Sequence, residues 1–242
     1  MGQVMASGVF ERVEKKYLLT KEKHDLLLAD LKSHITTDKY GKYTICNIYY
    51  DTESYDLIRH SIEKPAYKEK LRLRSYGKPT KEDEVFLEIK KKYKGTVFKR
   101  RISLTLEEAQ QYLNHGIKPD RDSQILREID YFMNFYHPKP KLYLAYDRIA
   151  YFGSDDKQIR ITFDQRIRSR QYDLNLAKGD YGEYLLDECS YLMEIKVPLA
   201  MPLWLANRLS SLEIYPTSFS KYGNIYKQKI LSDREELECL QA

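Results

Sequence analysis

A chain of 242 residues, 42% hydrophobic and 32% charged, can bury a core for one generous domain; its 22 tyrosines against 10 glycines exclude a low-complexity or disordered chain. A formal net charge of +5 points to an anionic partner without naming one. Cys46, Cys189 and Cys239 are widely spaced and outside any CxxC pattern, which excludes a disulfide framework and a zinc site. No apolar run nears the roughly 18–20 residues that span a bilayer, and the first residues lack the pattern of a signal peptide, so a cytoplasmic chain is expected.

In chain order, residues 11–19 read as a first strand, and Thr20 then opens a helix with Leu27, Leu28, Leu31 and Ile35 at helical spacing. Strands follow at about 46–50, 67–76, 85–92 and 96–104. Thr105 and Glu108 have the spacing of a capping box, and Gly116 suits the exit of that helix. The next helix starts near Asp122 and Ser123, repeats Ile125, Ile129, Phe132, Met133 and Tyr136, and stops at Pro138 and Pro140. Strands return at about 141–151, 158–168 and 191–197. Pro202 opens a helix through Leu205, Leu209 and Leu212, and Ser218 or Ser220 starts the last, packed through Tyr222, Ile225, Tyr226 and Ile230. Strands predominate and no βαβ alternation runs through the chain. Residues 1–242 are therefore expected to form a single α+β domain.

The chemistry lies in the parity of the strands, because residues two apart share a face. Arg12, Glu14 and Lys16 fall together, as do Arg72 with Arg74, Glu88 with Lys90, Lys99 with Arg101, and Tyr146 with Arg148. Arg160, Thr162, Asp164, Arg166 and Arg168 form another row, and Glu194 pairs with Lys196; apolar residues such as Leu71, Leu73, Leu87, Ile89, Ile161 and Ile195 stand opposite. On any one strand this is an ordinary solvated face. Repeated over seven segments and dominated by Arg and Lys, it implies a shared concave surface. Like charges at about 4 Å repel by roughly 4 kcal/mol at an effective dielectric near 20, so such a surface favours an anion inside. A barrel with a polar interior and helices on its outside meets that demand. Arginine forks and lysine point charges suit consecutive phosphates, and glutamates among them suit a hard divalent ion.

At these residues the chain resembles a known family. RVEKKY (12–17), KLRLRSYG (70–77), VFLEIKKK (85–92), KRRISL (99–104), YDRIAY (146–151), RITFDQRIR (160–168), LMEIKV (192–197) and SFSKYG (218–223) resemble the VTC (vacuolar transporter chaperone) domain of the triphosphate tunnel metalloenzymes. The resemblance implies a tunnel barrel of about eight antiparallel strands and an ATP-dependent polyphosphate polymerase, moving the γ-phosphoryl of ATP onto inorganic polyphosphate with Mn²⁺ or Mg²⁺. By motif, Arg72, Arg74, Lys90, Arg148, Arg160 and Lys196 are expected in the catalytic set. Lys16, Arg12, Lys99, Arg101, Arg166, Ser220 and Lys221 are expected on phosphate, and Glu194, Glu14 and Glu88 on the metal. The related CYTH group carries ExExK on its first strand; Arg12 in place of the first glutamate favours the VTC branch and removes one possible metal carboxylate. With no upstream SPX domain and no membrane helices in this chain, the resemblance implies a stand-alone, bacterial version.

Two further functions remain open: a metal-dependent triphosphatase or polyphosphatase on the same tunnel, and a non-catalytic polyphosphate-binding module. Nucleic acid is not an expected partner, because glutamates inside the basic rows oppose backbone tracking. Tyr43, Tyr49, Tyr50 and Tyr55 are candidates to stack a nucleotide base, though core packing is the commoner role of such tyrosines. Asp164 is expected to pair with Arg160 or Arg166, and Trp204 to pack.

Overall fold

The computed structural model describes residues 12–232. The described residues form strands β1 (Arg12–Leu19), β2 (Ile35–Asp51), β3 (Tyr67–Tyr76), β4 (Glu84–Tyr93), β5 (Thr96–Thr105), β6 (Lys139–Gly153), β7 (Arg160–Arg170), β8 (Glu183–Tyr184) and β9 (Tyr191–Pro198) together with six α-helices. These are α1 (Lys21–Leu31), α2 (Asp56–Ile62), α3 (Leu106–His115), α4 (Gln124–Tyr136), α5 (Leu203–Ser211) and α6 (Lys221–Ile225), the last running into a π turn at Tyr226–Ile230. The strands form a large antiparallel sheet in the order β1-β9-β7-β6-β2-β3-β4-β5, with β8 beside β7. Among the described residues this path is open, with β1 and β5 at its two ends, so the α+β class stands while closure into a barrel is not observed. Among the same residues no helix is long and apolar enough to cross a membrane.

The chain divides into two compact units, each with its own core. One comprises the chain up to Lys42, then 148–165 and 188–219. Its β1 and β9 run antiparallel with Tyr17 opposite Met193 and Val13 opposite Val197, and the inner face of β7 adds Ile161 and Phe163. Leu27 and Leu31 of α1 and Leu205 and Leu209 of α5 cover that face. Thr20 caps α1 by accepting from the Lys23 amide. Ile35 is not on the helical stripe that its spacing suggests. The helix ends at Leu31, the His34 amide turns back onto its carbonyl, and Ile35 opens β2. Trp204 packs on this core, stacked on His34 at 4.5 Å.

The other unit comprises 43–147, 166–187 and the chain from Ser220. Across β3, β4 and β5 the partners Leu73, Leu87 and Ile102 align, and Leu71 faces Ile89, so one side of the ladder is continuous hydrocarbon. Helices α3 and α4 cover it through Leu106, Ala109, Tyr112, Leu126, Ile129 and Phe132, all buried. The Thr105–Glu108 capping box forms as its spacing requires, and Gly116 leaves the helix in the left-handed conformation at φ 72°. Ser123 caps α4 by accepting from the Leu126 amide.

Helix α2 has no sequence signature and starts without a side-chain cap from its N-cap residue. Its first amide, that of Asp56, donates to the Thr52 hydroxyl at 2.8 Å, and the next two find Asp51, whose carboxylate accepts from Leu57 at 2.9 Å and Ile58 at 3.1 Å, and from the Tyr222 hydroxyl at 2.9 Å. One buried carboxylate thus ties β2, α2 and α6 together. Replacing Asp51 by Ala strands these donors away from water and should lower the unfolding free energy by about 2 kcal/mol or more. Asn, which keeps an acceptor, should recover part of the loss. Urea denaturation of the variants checks this, and unchanged stability of Asp51→Ala would refute the role.

Candidate functional site

In the first unit, register places four charged side chains in a checkerboard. Glu14 lies opposite Lys196 and Lys16 opposite Glu194 on the paired strands β1 and β9. Lys196 Nζ is 2.8 Å from Glu194 Oε1 and 3.5 Å from Glu14 Oε2; Lys16 Nζ is 3.2 Å from Glu14 Oε1 and 3.9 Å from Glu194 Oε2. Each lysine bridges both carboxylates. Burial raises the affinity of Glu194 for a proton, but Lys196, Lys16 and Arg148 outweigh it and hold the carboxyl down at about 2.

The next strand extends the row, with Arg160 opposite Lys196 and Thr162 opposite Glu194. Arg160 lies over the Phe152 ring, and its buried Nε, like the buried Thr162 hydroxyl, has no hydrogen-bond partner in the structure. A buried donor left in this state costs roughly 1–3 kcal/mol, so the row is set up for an acceptor from outside the protein. Arg148 grips Asp164 with both arms of its guanidinium, Nε to Oδ1 at 2.6 Å and Nη2 to Oδ2 at 2.7 Å. Asp164 is thus an ion-pair residue as its row suggests, but its partner is Arg148 on the preceding strand. Strand pairing, which parity does not specify, makes that choice.

In the second unit, Glu88 is the centre. It is 1% exposed and opposite both Arg72 and Arg101 in the ladder. Arg72 Nε donates to Glu88 Oε2 at 2.7 Å, Lys99 Nζ is 2.8 Å from Oε1, and Arg74 Nε is 3.7 Å from Oε2. Burial favours the protonated carboxyl, yet Arg72, Arg74 and Lys99 together hold it down at about 2. Tyr49 and Asn47, brought alongside by the β2–β3 register, accept from Arg72 at 3.1 Å and from Arg74 at 3.0 Å. Arg101 lies over the Phe86 ring at 4.5 Å. Lys70, Lys90 and Lys99 are aligned across three strands at the next position. Tyr49 and Tyr50 are buried, which removes both as platforms for a base, while Tyr55 donates to Gln171.

Of the remaining expected residues, Ser220 caps α6 by accepting from the Gly223 amide at 3.2 Å, and Lys221 Nζ sits 4.4 Å from the Tyr146 ring centroid. Arg166 leaves its row. Its backbone is left-handed at φ 50°, a conformation uncommon for a non-glycine residue, and Arg168 donates to its carbonyl at 2.7 Å. Its guanidinium then meets the Tyr184 hydroxyl at 2.9 Å in a cavity of about 490 Å³ lined also by Thr44, Asp147, Arg168 and Asp180. Arg12 opens β1, but its side chain, like Glu11 and Cys239, lies outside the described residues. Asn47 and Lys70 were not singled out from the sequence, and Tyr49 only as a stacking candidate. Only Lys70 carried a signal there, two residues before Arg72 and four before Arg74.

Among the described residues no group of three or more His, Cys, Asp or Glu gathers as a metal cage. The donor set nevertheless suits a hard divalent ion, since Mg²⁺ is usually held by one or two carboxylates with water and substrate phosphates completing its shell. Glu14 and Glu194 are two carboxylates bridged by the same lysines, at partly exposed positions. Glu88, enclosed by three cations, has far less freedom to turn to a metal.

Comparison with known proteins places the fold and the family of the chain. Among proteins of curated function none matches the chain by sequence. Among solved structures, a putative adenylate cyclase from Bacillus halodurans is 15% identical, with a TM-score of 0.54 over 86% of this chain and 93% of its own. A putative adenylyl cyclase from Hippeastrum, reported with a dominant triphosphatase activity, is 16% identical, with a TM-score of 0.54 over 90% of this chain and 95% of its own. At such identities the likeness is one of fold. The profile of the VTC domain matches residues 11–229, nearly the full length, and the chain belongs to the VTC domain family.

Proposed function

We propose that the chain is an ATP-dependent polyphosphate polymerase, transferring the γ-phosphoryl of ATP onto a growing inorganic polyphosphate. The observation that carries this reading is the row across β1, β9 and β7, where the bridged carboxylates Glu14 and Glu194 accompany Arg160, whose buried Nε lacks an acceptor. A phosphate oxygen supplies that acceptor, and membership of the VTC domain family supports the same ligand class. In this reading Arg160, Lys16, Lys196 and Arg148 neutralise phosphate oxygens in the first unit. Arg72, Arg74, Lys90, Lys99 and Arg101 do so in the second.

Glu194 and Glu14 would hold Mn²⁺ or Mg²⁺, whose contribution when bound is to offset charge on the phosphoryl group in transfer. The protein's own part is to fix the donor and acceptor phosphates and to present immobile cations to the equatorial oxygens. The terminal phosphate of the acceptor is already anionic, so no general base is required. Lys221 and Ser220 are assigned to the phosphate chain on α6. The triphosphatase activity described for the Hippeastrum protein of the same fold favours a second reading, in which water is the acceptor.

Incubation of the purified chain with ATP and Mn²⁺ or Mg²⁺, with the phosphate products sized, separates these readings. Long polyphosphate is expected. Orthophosphate or short chains without growth would establish the hydrolase instead, and binding without turnover would leave a binding module. Glu194→Gln should reduce turnover by about a hundredfold or more while sparing polyphosphate binding; unchanged turnover would remove it from the metal site.

Glu88 is assigned a different task, to hold Arg72, Arg74 and Lys99 in place until phosphate arrives. Glu88→Gln leaves those cations facing one another and should destabilise the free protein by about 3 kcal/mol. Tripolyphosphate should then raise the thermal midpoint of the variant by more than it raises that of the wild type. Because the Glu88 carboxyl is depressed to about 2 in the fold, against ~4.3 unfolded, its contribution is complete above ~4.3. It is lost as pH falls toward 2. That acid segment of the stability profile should be missing in Glu88→Gln, and its persistence would contradict the role.

A further inference from the structure

Lys70 is a cation on β3 that no carboxylate balances. Arg72 and Arg74, two and four residues on, both reach Glu88. Among the described residues Lys70 has neither an ion pair nor a hydrogen bond, and its ammonium sits 5.9 Å from the Tyr222 ring centroid. The groups facing it are Tyr49 and Asp51 of β2, Lys68 of its own strand, Lys90 across the ladder on β4, and Tyr222 of α6. Two of those are cations. The one acid, Asp51, is already engaged by the α2 amides and the Tyr222 hydroxyl. Lys68 turns away to donate to the Ser61 carbonyl at 2.9 Å.

A half-buried ammonium beside other cations and without a counter-ion is unfavourable unless an anion joins it. We propose that Lys70 is a further binding residue for the phosphate chain, its ammonium donating to a phosphate oxygen beside Arg72. This rests on the reading of the site as a phosphate-chain binder. A proton linkage follows from the surroundings. Burial, then Lys68 and Lys90, pull the Lys70 ammonium down to about 8 against the opposing pull of Tyr49 and Asp51. A bound phosphate favours the charged form, so above pH 8 in the free protein binding takes up a proton, and affinity falls as pH rises.

The test uses the full chain and metal-free tripolyphosphate. Calorimetric titrations at a pH just above 8, in two buffers of different ionisation enthalpy, give affinity and protons taken up together. Wild type should bind with proton uptake. Lys70→Met should bind about ten- to a hundredfold more weakly, the loss of one charge-assisted hydrogen bond, and take up fewer protons. Lys70→Arg, permanently charged, should bind tightly while showing the same reduced uptake. Lys99, which burial also pulls down to about 8, titrates in all three proteins, so the difference between them is the readout. Thermal unfolding without ligand should find Lys70→Met at least as stable as wild type, since an unbalanced cation has been removed. Were it less stable, Lys70→Arg would carry the test. Affinity and proton uptake equal to wild type in Lys70→Met or, for uptake, in Lys70→Arg would overturn the assignment of Lys70 alone. Wild type failing to bind tripolyphosphate would overturn the phosphate-chain reading itself, and this assignment with it.

Discussion

Cations packed side by side on a strand face must be neutralised, and most of the polar architecture of both units follows from that requirement. Two ammonium or guanidinium groups at about 4 Å repel by roughly 4 kcal/mol at an effective dielectric near 20, and burial strengthens the effect. Water cannot relieve it at Arg74 or Glu88, where almost no surface is exposed. The protein answers with a small number of acids, each shared. Glu88 serves Arg72, Arg74 and Lys99; Glu14 and Glu194 are shared between Lys16 and Lys196. Sharing leaves more cations than acids around Glu88, and in the proposed function the phosphate chain supplies the remaining countercharge.

The two groups of acids are not equivalent, and burial explains the difference. Glu88 is sealed in and held from three directions, so its carboxylate behaves as a fixed counter-ion that orients the arginine forks. Glu14 is about a third exposed and Glu194 retains 14% of its side-chain surface, so their lysine partners can be exchanged without burying a bare charge. In the proposed chemistry this separates a positioning role from a metal-binding one. The same comparison accounts for why burial, which disfavours any carboxylate, leaves both Glu88 and Glu194 depressed to about 2: in each case the neighbouring cations outweigh desolvation.

What could be read from the sequence was set by how local the determining interaction is. Parity along KLRLRSY and VFLEIKK assigns the charged and apolar sides correctly, because alternation is a property of a single strand. Caps at Thr20, Thr105 and Ser123 are equally local, and all three form. Helix α2 was not foreseen because its first amides are satisfied from outside the helix, by Thr52 and by Asp51, whose placement depends on the β2 strand and Tyr222. The same holds for Asp164, whose partner Arg148 is selected by strand pairing. Arg166 departs from its row for a backbone reason: one left-handed residue breaks the alternation, and the Arg168 guanidinium that holds it is itself fixed by Asp147 and Asp180.

Helix α6 draws on the same electrostatic logic from the other side. It is only five residues long, so its own dipole contributes little, and its place depends on side chains. Tyr222 is anchored on Asp51 and covers both Tyr49 and Lys70, while the neighbouring Lys221 ammonium rests on Tyr146. An aromatic face attracts an ammonium weakly without neutralising it, as Tyr222 does at Lys70. An acid in place of Tyr222 would quench the Lys70 charge in the free protein and weaken its call on a ligand. The ring at Lys70 instead leaves its charge available, which suits a cation proposed to engage an anion supplied from outside the chain.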